Sequence, residues 1–195
     1  MDRRKFTIAA VAALVGAAAA TPASARVRYN ADTNLWEEVP ETAGGRRGKA
    51  IAKEIVSYDI KYKVGTIVVE TSERRLYLVL PDGKALRYGI GVGRDGFTWT
   101  GQHAITRKAE WPGWTPPAAM RKRVPDLPAY MPGGPQNPLG ARALYIGSTL
   151  YRIHGTSEPW TIGQAVSSGC IRLTNEDVID LYDRAKVGAL VVVHH

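Results

Sequence analysis

The chain holds one cysteine among its 195 residues, and the residues around it make the first demand on the fold. Cys170 lies in Val166-Ser167-Ser168-Gly169-Cys170-Ile171-Arg172-Leu173, with Arg152-Ile153-His154-Gly155-Thr156 just upstream. A thiol attacks as thiolate, and a free cysteine with a pKa of about 8.5 is only a few per cent ionised at neutral pH. Lowering that value to about 6 takes roughly 3.4 kcal/mol, at about 1.36 kcal/mol per unit. An imidazolium within hydrogen-bond reach is one source of such stabilisation. His154 and Cys170 are 16 positions apart, too far for neighbours on one element but suited to two strands joined by a connection. A fold that uses both must bring them together, with Cys170 as nucleophile and His154 as its base. Gly169 lets the backbone turn tightly and leaves room for a substrate carbonyl. The amides of Ser168, Gly169 and Cys170 are candidate oxyanion donors. Arg172 offers a guanidinium fork for a substrate carboxylate, or a brace for the loop. A lone cysteine is more often a small buried hydrophobe. Here its Ser, Gly and Arg neighbours, together with an export signal, favour a reactive thiol.

His-Gly-Thr followed by Ser-Ser-Gly-Cys-Ile-Arg-Leu resembles the L,D-transpeptidase catalytic domain, the YkuD family of cell-wall enzymes. The resemblance covers roughly Gly65 to His195, and the paired motif is far more specific than a lone cysteine. It implies a mainly β, sandwich-like YkuD fold with a few short helices. It also implies Cys170 as nucleophile, His154 as proton acceptor and donor, and the Gly155 carbonyl as the group that orients the imidazole. Gly169 and Arg172 match the invariant part of the family pattern. Many members carry Ser-His-Gly-Cys, whereas this chain has Ser168 at the second-histidine position, so a two-histidine scheme is not expected. The implied activity is cross-linking of peptidoglycan stem peptides through a cysteine thioester. The alternatives are hydrolysis of the same acyl-enzyme, as an L,D-carboxypeptidase or endopeptidase, and a non-catalytic wall-binding module. No cofactor is implied.

Residues 1–25 read as a signal peptide. Asp2-Arg3-Arg4-Lys5 is a basic start, Phe6 to Ala20 is an apolar, alanine-rich run, and Ala23-Ser24-Ala25 is a small-residue cleavage site. The run is too short for a membrane span, which needs about 20 residues, so no stable span is expected after cleavage. Arg3-Arg4-Lys5-Phe6 also fits a twin-arginine signal. The expected address is the periplasm or cell envelope. Cleavage leaves 170 residues, enough for one domain with a proper core. An unpaired thiol is a liability in an oxidising compartment, which again favours a reactive role. The whole chain carries a formal charge of +8, and removing the leader leaves about +6. The basic residues are scattered and no recognition motif accompanies them, which argues against a nucleic-acid partner. A basic surface suits an anionic wall polymer, or serves solubility alone.

Residues 26–63 read as an arm, with a flexible Ala43–Gly48 linker and a short helix or extended stretch over Ala50–Tyr58. The catalytic domain is expected over 64–195. Thr66–Glu70, Arg75–Leu80 and Ala85–Val92 have strand composition and are separated by turn residues. Gly91-Val92-Gly93-Arg94-Asp95-Gly96 spells the dinucleotide fingerprint, but that fingerprint must open a helix. Phe97-Thr98-Trp99-Thr100 follows instead, so a loop is expected, with the next strand over Gln102–Lys108. The segment 111–139 holds eight of the twelve prolines, together with Trp111, Trp114 and Tyr130. Loops this long are usually functional or disordered, and the aromatics argue for a lid or groove wall rather than disorder; the alternative is a wrap over a sheet edge. Pro116 and Pro117 suit the start of a short helix. Ala143–Ile146 and Leu150–Ile153 read as paired strands that put His154 at a strand end. Thr174 and Asp177 form a capping-box-like pair, and Val178, Leu181, Tyr182 and Ala185 share one helical face. A closing strand follows over Ala189–Val193, with His194 and His195 as a solvated tail. The histidines and the cysteine show no metal-ligand spacing.

Overall fold

The structure, a computed structural model, describes residues 25–30, 35–40, 51–59 and 61–195. The signal peptide expected over 1–25, Ala25 apart, and the linker at 43–48 lie outside the described residues. Strands β1 (Ala25–Asn30) and β2 (Leu35–Pro40) pair antiparallel as a separate two-stranded sheet.

The body is a nine-stranded curled sheet. Its first part follows the chain: β3 (Glu54–Ser57), β4 (Ile67–Glu70), β5 (Arg75–Leu80) and β6 (Lys84–Gly89). These four order as β4-β5-β6-β3, all antiparallel. The alternating side chains of β4 and β5 are apolar on both faces because both faces are covered. Ile67, Val69, Leu76 and Leu78 enter the main core, whereas Val68, Tyr77 and Val79 form a smaller cluster under Val56, Tyr58 and Tyr62. The stretch left open as helix or arm is therefore extended. It adds an edge strand and lays its tyrosines over the outer face, with Tyr58 stacked on Tyr77 at 5.1 Å.

Strand β8 (Gly101–Glu110) is the bend of the sheet. Its first half pairs with β13 (Leu190–His194), and its second half pairs with β9 (Arg142–Ile146) across a register shift between Ile105 and Arg107. Such an irregularity sharpens the local twist. The sheet continues through β10 (Arg152–His154) to β12 (Ile171–Arg172). It then curls back: Gly91 exchanges both backbone hydrogen bonds with Arg172, at 2.8 and 2.9 Å. The short β7 (Val92–Gly93) pairs in parallel with β11 (Ala165–Ser167). The Gly91–Gly96 run thus ends a strand and opens no helix. The third strand is shorter than expected, breaking at Ile90 before β7.

Among the described residues two α-helices complete the body, with a 3-10 turn at Pro159–Thr161. Helix α1 (Ala118–Arg123) follows Pro117, and α2 (Asn175–Arg184) is capped by Thr174, whose hydroxyl accepts from the Asp177 N–H at 3.1 Å. Val178, Leu181 and Ala185 join Leu144, Ile153 and Leu173 in the main core, so α2 covers the inner face of β9 and β10. One expectation fails here. His194 is no solvated tail: it closes β13 opposite Glu70 of β4, and its Nε2 lies 3.1 Å from the Tyr62 hydroxyl. The apolar run that precedes it carries the strand one residue further than its composition suggests.

Candidate active site

Strands β10 and β12 run parallel, with Ile153 beside Ile171 and His154 beside Arg172. Both isoleucines are buried in the core. Alternation along a strand then sends Arg152 and His154, and Cys170 and Arg172, to the opposite face. All four line one cavity of about 420 Å³. The two strands expected from the 16-residue spacing are therefore adjacent, and they present thiol and imidazole to the same space.

His154 is almost fully buried, at 4% exposure. Its Nδ1 lies 2.6 Å from the Gly155 carbonyl. A carbonyl only accepts, so Nδ1 carries the proton and donates, and Nε2 keeps its lone pair. Burial pulls the imidazole pKa down to about 3. The positive charges of Arg172 and Arg152 act in the same direction, and hydrogen bonding to the carbonyls of Gly155 and Leu139 opposes them. The ring is neutral at physiological pH.

Cys170 is half-buried: protein atoms crowd it, but it opens onto the cavity. Burial pushes its thiol pKa up, more than the Arg152 charge, hydrogen bonds from Arg152 and the Arg172 charge together pull it down. Burial thus disfavours the charged form of both groups, which works against the expected thiolate stabilised by an imidazolium.

The loop before Cys170 is held from three sides. The Ser167 hydroxyl donates to the Cys170 carbonyl at 2.6 Å and accepts from the Gly169 N–H at 3.2 Å. The Trp99 indole N–H donates to the Gly169 carbonyl at 2.8 Å. Trp99 stacks on Tyr151 at 4.5 Å with the rings nearly parallel. Gly169 has φ +103°, and a Cβ there would strike the Tyr151 ring, so the glycine is required on both counts. Its amide is committed to Ser167 and is not free for an oxyanion, contrary to expectation. Among the described residues, the amides of Ser168 and Cys170 have no backbone or side-chain acceptor. Ser168 lines the cavity mouth, half-buried.

Arg172 also departs from the carboxylate-fork reading. It is 8% exposed. Its guanidinium pairs with Glu158 at 3.6 Å and donates to the Thr161 hydroxyl at 2.5 Å. This is the bracing alternative: Arg172 ties β12 to the connection between the two strands.

The segment 111–139 supplies much of the cavity wall, through Trp114, Pro117, Met120, Pro138 and Leu139. Trp114, Val124, Leu127 and Leu139 form their own small core. The buried Asn137 amide donates to the carbonyls of Met131 and Pro132, and its Oδ1 accepts from the Leu139 N–H. The segment is a packed groove wall. Asn175, at the first turn of α2, accepts from the amides of Ala141 and Thr156 at 2.9 and 3.3 Å, and so ties the wall to the loop after His154. Ser167, Trp99, Tyr151 and Asn175 escaped the sequence reading. The only local signal among them was Ser167, two residues before a glycine. Among the described residues no cluster of three or more His, Cys, Asp or Glu is arranged to hold a metal.

The model of the L,D-transpeptidase catalytic domain family, YkuD, matches residues 65–193. The probable L,D-transpeptidase ErfK/SrfK of Escherichia coli strain K12 is 44% identical over 136 residues, covering 65% of this chain and 43% of that protein. The chain thus spans less than half the length of this curated relative. Solved structures resemble this chain as well. A probable carnitine operon oxidoreductase caia from Brucella melitensis is 46% identical, with a TM-score of 0.51 over 73% of this chain and 93% of that chain. L,D-transpeptidase 3 from Mycobacterium tuberculosis, in complex with a faropenem-derived adduct, is 20% identical and shares the fold, with a TM-score of 0.52 over 68% of this chain and 60% of that one. On the length of the family match, this chain belongs to the family of L,D-transpeptidase catalytic domains.

Proposed function

We propose that the chain is a cysteine-dependent L,D-transpeptidase that joins peptidoglycan stem peptides through a thioester on Cys170. The observation that carries this reading is the contact of the His154 Nδ1 with the Gly155 carbonyl, in a cavity that Cys170 also lines. With Nδ1–H held by the Gly155 carbonyl at 2.6 Å, the neutral ring offers Nε2 as the base, and it shares a cavity with the one cysteine. As the thiol attacks the carbonyl of an L-centre residue linked to a terminal D-amino acid, its proton passes to Nε2. The sulfur–carbon bond forms, the carbon–nitrogen bond breaks, and the imidazolium returns the proton to the departing amine. The side-chain amine of a second stem then attacks the thioester. A new carbon–nitrogen bond forms and the sulfur leaves, with the amine proton returning to sulfur through His154. The unengaged amides of Ser168 and Cys170 are the donors open to the oxyanion in both halves. The imidazolium exists only in passing, in keeping with a ring that burial holds neutral at rest.

The proposal includes the setting. Residues 1–25 direct export and are removed, 26–63 form an arm, and 64–195 act on the wall in the periplasm or cell envelope. No described helix is long and apolar enough to cross a membrane. The test is incubation of the mature protein with tetrapeptide muropeptides, followed by product analysis. Cross-linked dimers support transfer. Trimmed monomers alone would instead assign hydrolysis of the same acyl-enzyme. Wall binding without either product would assign a binding module.

A further inference from the structure

The cross-strand register puts four side chains in one row on the outer face of the sheet. Arg107 of β8 lies beside Tyr145 of β9, and Tyr145 lies beside Arg152 of β10. The pairing of Ile153 with Ile171 sets Arg152 level with Cys170. The two guanidiniums flank the Tyr145 ring, Arg107 at 3.7 Å from its centroid and Arg152 at 5.3 Å. Arg152 donates to the Leu150 carbonyl at 3.2 Å, and its Nε is buried with no hydrogen-bond partner. Among the described residues it has no acidic partner, whereas Arg172, the other arginine of the strand pair, is paired with Glu158. Arg152 lines the cavity together with Cys170.

We infer that Arg152 is a catalytic cation for the proposed reaction, carrying the negative charge that develops on the Cys170 sulfur. This rests on the reading of Cys170 as nucleophile. The charge appears twice, when the thiol proton moves to His154 and when the thioester breaks and the sulfur leaves. A guanidinium that lines the same cavity as the sulfur and is free of a carboxylate counter-ion stabilises both moments; a cation already neutralised by Glu158 does so less. Tyr145 holds the guanidinium in place through its ring, and Arg107 packs on the same ring. The titratable groups that line the cavity with Cys170 are Arg152 and His154 from β10, Arg172 from β12, Tyr151 from the preceding turn, and Arg94 from the loop after β7; Glu158 pairs with Arg172. None of these lining groups is acidic, and the Cys170 thiol and Arg152 meet at one acceptor, the Leu150 carbonyl, at 3.9 and 3.2 Å.

The test is the rate of Cys170 alkylation by iodoacetamide against pH, on wild type, Arg152→Gln and Arg152→Lys. The folded state of each is checked by circular dichroism, and the same proteins are assayed on tetrapeptide muropeptides. Arg152→Gln is expected to move the alkylation midpoint up by about one pH unit, with about tenfold slower alkylation at neutral pH. It should lower kcat while leaving KM near wild type. Arg152→Lys keeps the charge and is expected to restore most of both. An unchanged midpoint in Arg152→Gln would overturn the inference, as would a midpoint shifted equally by both variants. A rise in KM alone, with the midpoint fixed, would instead make Arg152 a substrate-carboxylate contact and equally overturn it. Cys170→Ala separates the two claims: if that variant still forms product, the nucleophile assignment fails whatever Arg152 does to the thiol.

Discussion

Cys170 and His154 were legible because thiols and imidazoles are chemically conspicuous, and because the spacing between them fits adjacent strands. Their protonation was not legible. It depends on burial, and the burying atoms come from the segment 111–139 and from the loop after β7, remote in sequence from both residues. The same holds for the clamp on the nucleophile loop, since Trp99 reaches Gly169 across 70 positions. At this scale the sharpest prediction concerns Gly169. Gly169→Ala places a Cβ against the Tyr151 ring at φ +103°. It is expected to cost about 2–4 kcal/mol, from left-handed backbone strain and overpacking together. Urea unfolding measures the cost, and thiol alkylation of the folded variant should show altered Cys170 reactivity. A variant as stable as wild type would mean that the loop does not need its clamp.

Elements were easier to read than contacts. The β-branched runs gave β4, β5, β9 and β13 nearly to the residue, and the Thr174 cap with its apolar face gave α2. What escaped was the role of elements whose partners are distant: the extended stretch at Glu54–Ser57, which becomes an edge strand, and the two-part pairing of β8. Composition shows that a stretch is extended, but pairing is settled only when the sheet assembles. The Pro-rich segment was read as a groove wall, yet the wall holds its shape through an apolar cluster and the buried Asn137, neither of which its prolines foretell. Helix α2 supports β9 and β10 from the core side. Thr174→Ala removes the acceptor for the Asp177 amide and is expected to cost about 1 kcal/mol of stability in thermal or urea unfolding. Because Thr174 does not line the cavity, the specific activity of the folded fraction should stay close to wild type.

For the whole molecule, the buried neutral imidazole couples stability to pH. The unfolded chain binds a proton at His154 near pH 6.5, whereas the folded chain does so only near pH 3. Above about 6.5 the two states do not differ at this group. As pH falls through the window between, the unfolded state gains a proton that the folded state refuses, so stability is lost. The slope approaches about 1.4 kcal/mol per pH unit for one proton. Asp177 and Glu70, whose carboxyls burial raises, act the other way. The folded state takes up their protons first, and the stability they contribute at low pH is lost as pH rises through their folded values. Urea unfolding at pH 7, 6 and 5 should show a decline that His154→Gln flattens. An equal decline in that variant would place the linkage elsewhere.

All of this converges on one sulfur and one carbonyl meeting in the cavity. Intact-protein mass spectrometry after exposure to a tetrapeptide muropeptide or a β-lactam, run on wild type beside Cys170→Ala and His154→Ala, reads that event directly. A single acyl adduct on wild type, localised to Cys170, missing from Cys170→Ala and strongly diminished in His154→Ala, is the predicted result. Adduct or cross-linked product formed equally well by Cys170→Ala would contradict it.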